Sequence, residues 1–194
     1  MNKILLLLIV LLSSWSTTTF GQITEIYVSD AQDFNLPPWK ILKFDEVGEN
    51  PEIFTEEELG WPQDILFLED QGIVLVSNLT TGKITKYRTT DGAYLGDFAT
   101  GIGGPTRMNI GGDGLLYVLQ WGGNGTVWRY QLDGTFEDEF TSNPVTQSIG
   151  LDWDSEGILY VSSWDGAKVH RFDEQGEELE LFIESGLQGP TNIW

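Results

Sequence analysis

The sequence predicts an all-β chain made of repeated four-stranded units, and three observations carry that expectation. Glycines punctuate the chain about every ten residues, the apolar segments between them are short and rich in β-branched and aromatic residues, and one pattern returns at a fixed spacing. The turn glycines Gly48, Gly92, Gly134 and Gly176 lie 44, 42 and 42 residues apart. Four short strands in a repeat of that length make a propeller blade.

Three copies align as 60–98, 104–140 and 145–182, each with four strand-like parts. The first part follows a turn and covers 62–68, 105–110 and 146–151. The second (73–76, 115–118 and 158–161) is apolar throughout, as expected where neighbouring blades cover both faces of a sheet. The third (83–87, 126–130 and 168–172) sets a cation beside an aromatic in Lys86-Tyr87, Arg129-Tyr130 and Arg171-Phe172, so the ring faces inward and the charge faces water. The fourth ends on Phe98, Phe140 and Phe182, each six residues after a turn glycine. Residues 23–28 and 40–55 supply three strands of an earlier blade whose innermost strand has no candidate. Gly189-Pro190-Thr191-Asn192-Ile193-Trp194 opens a fifth. Blade boundaries therefore fall near 60, 104, 145 and 189.

Residues 1–21 read as a secretory signal peptide. Lys3 supplies the positive start, Ile4–Leu12 is an apolar run too short to span a bilayer, and cleavage is expected after Gly21. Residues 22–194 then form the propeller part of a secreted or periplasmic protein. The chain has no cysteine, so packing alone must hold it. No other stretch is apolar enough to cross a membrane. With 30 acidic against 10 basic residues, its net charge of -20 repels nucleic acid and anionic lipid.

The motifs Gly104-Pro105-Thr106, Asp113-Gly114-Leu115-Leu116-Tyr117-Val118, Gly125-Thr126-Val127-Trp128-Arg129-Tyr130 and Asp133-Gly134 resemble the NHL repeat and its relatives among the senescence-marker and gluconolactonase-like β-propellers. The resemblance implies an incomplete propeller, about four blades of a six-bladed ring. Pairing of two chains to close the ring is the less favoured alternative, and no oligomer is expected. The resemblance also implies a channel mouth at which gluconolactonase-like enzymes hold a divalent cation with carboxylate and Asn oxygens. Asn192, in its Pro-Thr-Asn context, resembles one such position.

Ligands are expected at that mouth, where the inner strands start. Counting two past each Pro or its equivalent gives Asp64, Arg107, Ser148 and Asn192, and matching loops add Trp121 and Trp164. Oxygen ligands of this type suit calcium. Arg107 breaks such a set and reads instead as a partner for Asp64 or an anchor for an anionic ligand, so no cofactor is expected. Asp152-Trp153-Asp154-Ser155-Glu156-Gly157 mimics half a calcium loop, but the twelfth position is Ser163 and a polar hairpin turn explains it better. His170 is the single histidine, and without cysteine it leaves no constellation for nucleophilic catalysis. The favoured function is a non-catalytic scaffold binding an extracellular glycan or protein ligand. The alternative is a divergent metal-dependent enzyme of the gluconolactonase or lyase type.

Overall fold

The computed structural model describes residues 25–31, 33 and 36–194. The expected signal peptide lies outside the described residues. Among the described residues fourteen strands form four antiparallel sheets, each a meander in chain order. Sheet one holds β1 (Glu25–Asp30), β2 (Lys40–Asp45) and β3 (Glu52–Thr55). Sheet two holds β4 (Pro62–Leu68), β5 (Ile73–Asn78), β6 (Lys83–Arg88) and β7 (Tyr94–Thr100). Sheet three holds β8 (Pro105–Ile110), β9 (Leu116–Gln120), β10 (Trp128–Tyr130) and β11 (Phe136–Glu139). Sheet four holds β12 (Ser148–Trp153), β13 (Leu159–Ser163) and β14 (Lys168–Phe172). Each sheet packs on the next, and the first strands β4, β8 and β12 lie side by side on the inner edge. This is an arc of an incomplete β-propeller. Among the described residues no helix is long and apolar enough to cross a membrane.

The apolar second strands explain the packing. In β5, Val74 and Val76 join the cluster against sheet one, with Ile41, Phe54 and Tyr87. Leu75, between them in sequence, points the other way into the cluster against sheet three, with Phe98, Met108 and Val118. In β9 the same alternation sends Leu116 and Val118 towards sheet two and Tyr117 and Leu119 towards sheet four. A period-2 strand covered on both faces must be apolar at every position, which is what these segments are. The third strands behave as their alternation predicts: Tyr87, Tyr130 and Phe172 are buried, while Arg129 reaches outward to Asp113 and Asp138.

A second device fixes the spacing of the sheets. The carbonyl of Phe54 faces Gly92, that of Phe98 faces Gly134, and that of Phe140 faces Gly176. All three glycines have positive φ, and a Cβ on any of them would run into the phenylalanine carbonyl of the preceding sheet. The repeat of turn glycine and strand-ending phenylalanine is thus one contact made three times.

Two expectations are corrected. The inner strand of sheet four runs over 148–153 rather than 146–151, because β12 starts later than its counterparts and is bulged between Ser148 and Gly150. The fourth strand expected to end on Phe182 is reduced to isolated bridges, Phe172 with Glu178 and Val169 with Ile183.

Because Gly134 and Gly114 both have positive φ but only Gly134 abuts a neighbouring sheet, they separate backbone strain from close approach. Gly134→Ala is expected to lower stability by at least about 1 kcal/mol more than Gly114→Ala in denaturant unfolding. Equal losses would mean that the phenylalanine contact contributes nothing.

Candidate functional site

Each inner strand is launched by a residue with positive φ: Trp61 (φ 50), Gly104 (φ 71) and Gln147 (φ 47), with Gly189 (φ 64) at the matching place further along. Pro62, Pro105 and Ser148 follow these residues and pair with Asn78, Gln120 and Ser163, so the three are equivalent. Counting three from each launch point brings Asp64, Arg107, Gly150 and Asn192 to one level of the inner wall.

Ser148 therefore does not stand in that ring. Gly150 occupies its place, because the loop before β12 lacks the Gly-Pro step that marks the start of β8. Ser148 is fully buried: its Oγ donates to the Gln120 carbonyl at 2.9 Å and accepts the Gln120 N–H at 3.2 Å, tying sheet four to sheet three. The inner-strand position it was assigned is held by Gly150, which has no side chain. A Cβ on Gly150 would lie 2.8 Å from the Thr191 carbonyl and 2.7 Å from Ser162 Oγ.

Asp64, Arg107 and Asn192 line one cavity of about 250 Å³, together with Asn109, Asp152 and Trp194. Arg107 Nη1 donates to Asp64 Oδ1 at 3.2 Å, while the Met108 N–H donates to Asp64 Oδ2 at 2.8 Å and the Ile65 N–H to Oδ1 at 3.1 Å. Burial is the largest influence on Asp64 and pushes its carboxyl above the ordinary carboxylate range, against the Met108 N–H and the Arg107 charge. Arg107 is thus paired with Asp64 through one nitrogen of its guanidinium.

Asn109 was not singled out from sequence, and Asp152 only as the first residue of the calcium-loop mimic. They lie two residues beyond Arg107 and Gly150, on the same side of their strands. Carrying the alternation one step further along β8 finds Asn109. Asp152 needed the correct start of β12.

At the end where the inner strands begin, the loops after β5, β9 and β13 are fastened to the same blade by matching bonds. The N–H groups of Leu79, Trp121 and Trp164 donate to the carbonyls of Trp61, Gly104 and Gln147 at 3.2, 2.8 and 3.1 Å. The rings of Trp121 and Trp164 come together across the seam, with centroids 6.3 Å apart and planes inclined by 45°. Trp164 is 42% exposed while Gly189 lies against its ring. Gln120 braces this rim from beneath, accepting the Gly103 N–H and donating to Asn124 Oδ1 and the Thr126 carbonyl.

No group of three or more His, Cys, Asp and Glu side chains is placed to hold a metal ion among the described residues, and Asp64 is committed to the Arg107 guanidinium. Asp154 belongs to a hairpin turn, accepting the N–H groups of Glu156 and Ile158 on Oδ1 and the Tyr160 hydroxyl on Oδ2. His170 pairs with Glu178 at 2.7 Å and stacks on Phe172 on the third strand of its sheet.

No family model and no curated protein matches the chain. Solved structures do. The catalytically inactive virginiamycin B lyase of Staphylococcus aureus with quinupristin is similar at 18% identity and a TM-score of 0.64, covering 79% of this chain and 52% of the lyase chain. The selenomethionine-substituted form of that lyase gives 20% identity, a TM-score of 0.63 and the same coverages of 79% and 52%. The chain thus spans about half the length of these neighbours, and what it shares with them is the propeller fold.

Removing the guanidinium tests the electrostatics of the pair. Arg107→Met is expected to raise the Asp64 pKa further, read by carboxyl-carbon NMR titration. An acid whose folded pKa is raised holds its proton more tightly in the native state. Its contribution to stability therefore falls as pH rises from the ordinary aspartate value through the raised one, and the variant should carry that fall to higher pH. Titration of Asp64 below the ordinary value would contradict this assignment.

Proposed function

We propose that the chain is part of an exported propeller of the NHL and gluconolactonase-like type that binds an extracellular glycan or peptide at its channel-mouth face without chemistry. The observation that carries this reading is the Trp121–Trp164 pair, partly exposed on a rigid rim at the end where the polar-walled inner strands begin. Flat rings fixed by backbone bonds offer stacking area at little entropic cost, and tryptophan favours sites with one apolar and one wet edge. The Asp64–Arg107 pair, with Asn109, Asp152 and Asn192, supplies donors and acceptors for hydroxyls or amides in the adjoining wall. Export rests on the leader-like residues 1–21, and an acidic surface suits a protein that avoids nucleic acid and anionic lipid.

A second reading rests on the likeness to virginiamycin B lyase. Here the face would be catalytic, with Asp64, held above its ordinary pKa, as a candidate base. Its weakness is that the same carboxylate is fully engaged by Arg107 and two backbone N–H groups.

Glycan and peptide arrays separate the readings. The binding account expects retention of at least one extracellular polymer, weakened about tenfold or more in Trp164→Ala. No binding to any such polymer, or turnover of a lactone, counts against it.

A further inference from the structure

The connection that leads from one sheet to the next is one residue shorter at the middle seam than at the seams on either side. Counted from the strand-ending phenylalanine to the aliphatic residue ahead of the next inner strand, there are five steps from Phe54 to Leu59, four from Phe98 to Ile102 and five from Phe140 to Val145. Ile102 and Val145 are equivalent, since their N–H groups donate to the matching carbonyls of Gly82 and Gly125 at 3.0 and 2.9 Å. The longer connections reach across to the following sheet. In the first, the Glu57 carbonyl accepts the Tyr87 hydroxyl at 2.6 Å, and that hydroxyl itself accepts the Thr85 hydroxyl at 3.0 Å. In the third, Ser142 Oγ accepts the Glu178 N–H at 3.1 Å and Asn143 Nδ2 donates to Glu178 Oε2 at 2.7 Å. Among the described residues no such bond joins Thr100 or Gly101 to sheet three.

Tyr130 holds the place of Tyr87 at the middle seam, but without the bonds. It is 3% exposed and lines a groove of about 420 Å³ between sheets two and three, with Phe98, Thr100, Trp128, Gly134 and Phe136. Its neighbours are rings, with centroids 6.2 Å away in Phe98, 6.5 Å in Trp128 and 5.6 Å in Phe136. No group among the described residues accepts from its hydroxyl. Burial pushes the Tyr130 pKa up to about 12, so the hydroxyl keeps its proton and stands as an unspent donor. The strand pairings match Trp128 with Thr85 and Phe136 with Tyr94, so two hydroxyls of the first seam are exchanged here for aromatic surface. The other polar groups of the wall are engaged: Trp128 Nε1 donates to Thr126 Oγ1 at 3.1 Å, and Asp97 pairs with Lys83 at 3.0 Å and accepts the Tyr94 hydroxyl at 2.7 Å.

We propose that this groove is a peptide-binding site, in which a backbone carbonyl of a partner chain accepts the Tyr130 hydroxyl and the aliphatic side chain beside it lies on Trp128 and Phe136. The first seam shows the fit from within the chain, because the carbonyl that meets the matching tyrosine there is the peptide carbonyl of Glu57. A donor that is buried in the free protein gains a full bond when a carbonyl arrives, and the rings supply apolar area at little entropic cost. A sugar fits less well. Each of its rings brings several hydroxyls, whereas the buried side chains of the wall offer one unpaired donor, so the remaining hydroxyls would lose water without compensation. A charged side chain gains nothing either, since Asp97 is already neutralised by Lys83. The groove lies on the flank of the arc and is separate from the tryptophan rim of the channel mouth.

The test is an NMR titration of the whole chain with N-acetyl-leucine N′-methylamide up to its solubility limit, run in parallel with N-acetylglucosamine. The leucine amide should give saturable shifts at the Trp128 indole N–H and the amides of Thr100 and Phe136, with the indole signals of Trp121 and Trp164 unmoved. Tyr130→Phe removes a hydroxyl that bonds nothing in the fold and should weaken this binding about fivefold. Inserting one alanine between Thr100 and Gly101 restores the length of the flanking connections and should abolish it, with circular dichroism confirming the fold. If the insertion does not fold, Tyr130→Phe decides alone. Absence of saturable shifts at the groove, unchanged affinity in Tyr130→Phe, or tighter binding of N-acetylglucosamine there would overturn the proposal. Shifts confined to Trp121 and Trp164 would overturn it too, while leaving the function proposed for the channel mouth intact.

Discussion

The structure depends on close approach of one sheet to the next at a phenylalanine carbonyl. At that point the chain needs a residue with positive φ and no side chain, and glycine meets both requirements. Once Phe54, Phe98 and Phe140 are seated on Gly92, Gly134 and Gly176, the spacing between sheets is set. The second strands then find apolar neighbours on both faces, and the burial of Val74, Leu75 and Val76, or of Leu116, Val118 and Leu119, follows from the geometry. Elements that lie away from a seam are less regular. In sheet four the place of a fourth strand is taken by two isolated bridges.

The candidate site inherits its order from the same framework. Inner strands aligned by the seams present side chains at a common level, and this is how Asp64 and Arg107, 43 residues apart in sequence, come within 3.2 Å. Taking a carboxylate out of water beside one cation does not fully compensate its desolvation, and the raised Asp64 pKa expresses that imbalance. The Met108 N–H offsets part of it, so the pair is held by backbone as well as by charge. Such a pair organises the wall, and Asn109, Asp152 and Asn192 lie beside it in the same cavity.

The architecture was legible in the sequence because its determinants are local and repeated. Turn glycines, strand-ending phenylalanines and apolar second strands each recur at a spacing that survives divergence of everything between them. Arg107 was legible for a different reason: the other cations of residues 22–194 fall in or beside third strands, so its place on an inner strand stood out. Ser148 was misplaced because β12 is launched from a residue with positive φ that is neither glycine nor followed by proline, Gln147, and a two-residue slip in a bulged strand gives no hydrophobic signal. The same slip kept Asp152, read only as part of a hairpin turn, off the inner wall. The meeting of Trp121 and Trp164 across a seam depends on the angle between sheets, which no spacing within a single repeat encodes.

If the seams are the dominant interaction, the four sheets unfold together even though each is a separate hydrogen-bonded unit. Native-state hydrogen exchange measures this most directly. The account predicts that amides of β5, β9 and β13 exchange slowest and share one opening free energy equal to that of global unfolding, because each second strand is locked by a seam. Distinct opening free energies for the individual sheets, with one sheet exchanging fully while its neighbours stay protected, would contradict it.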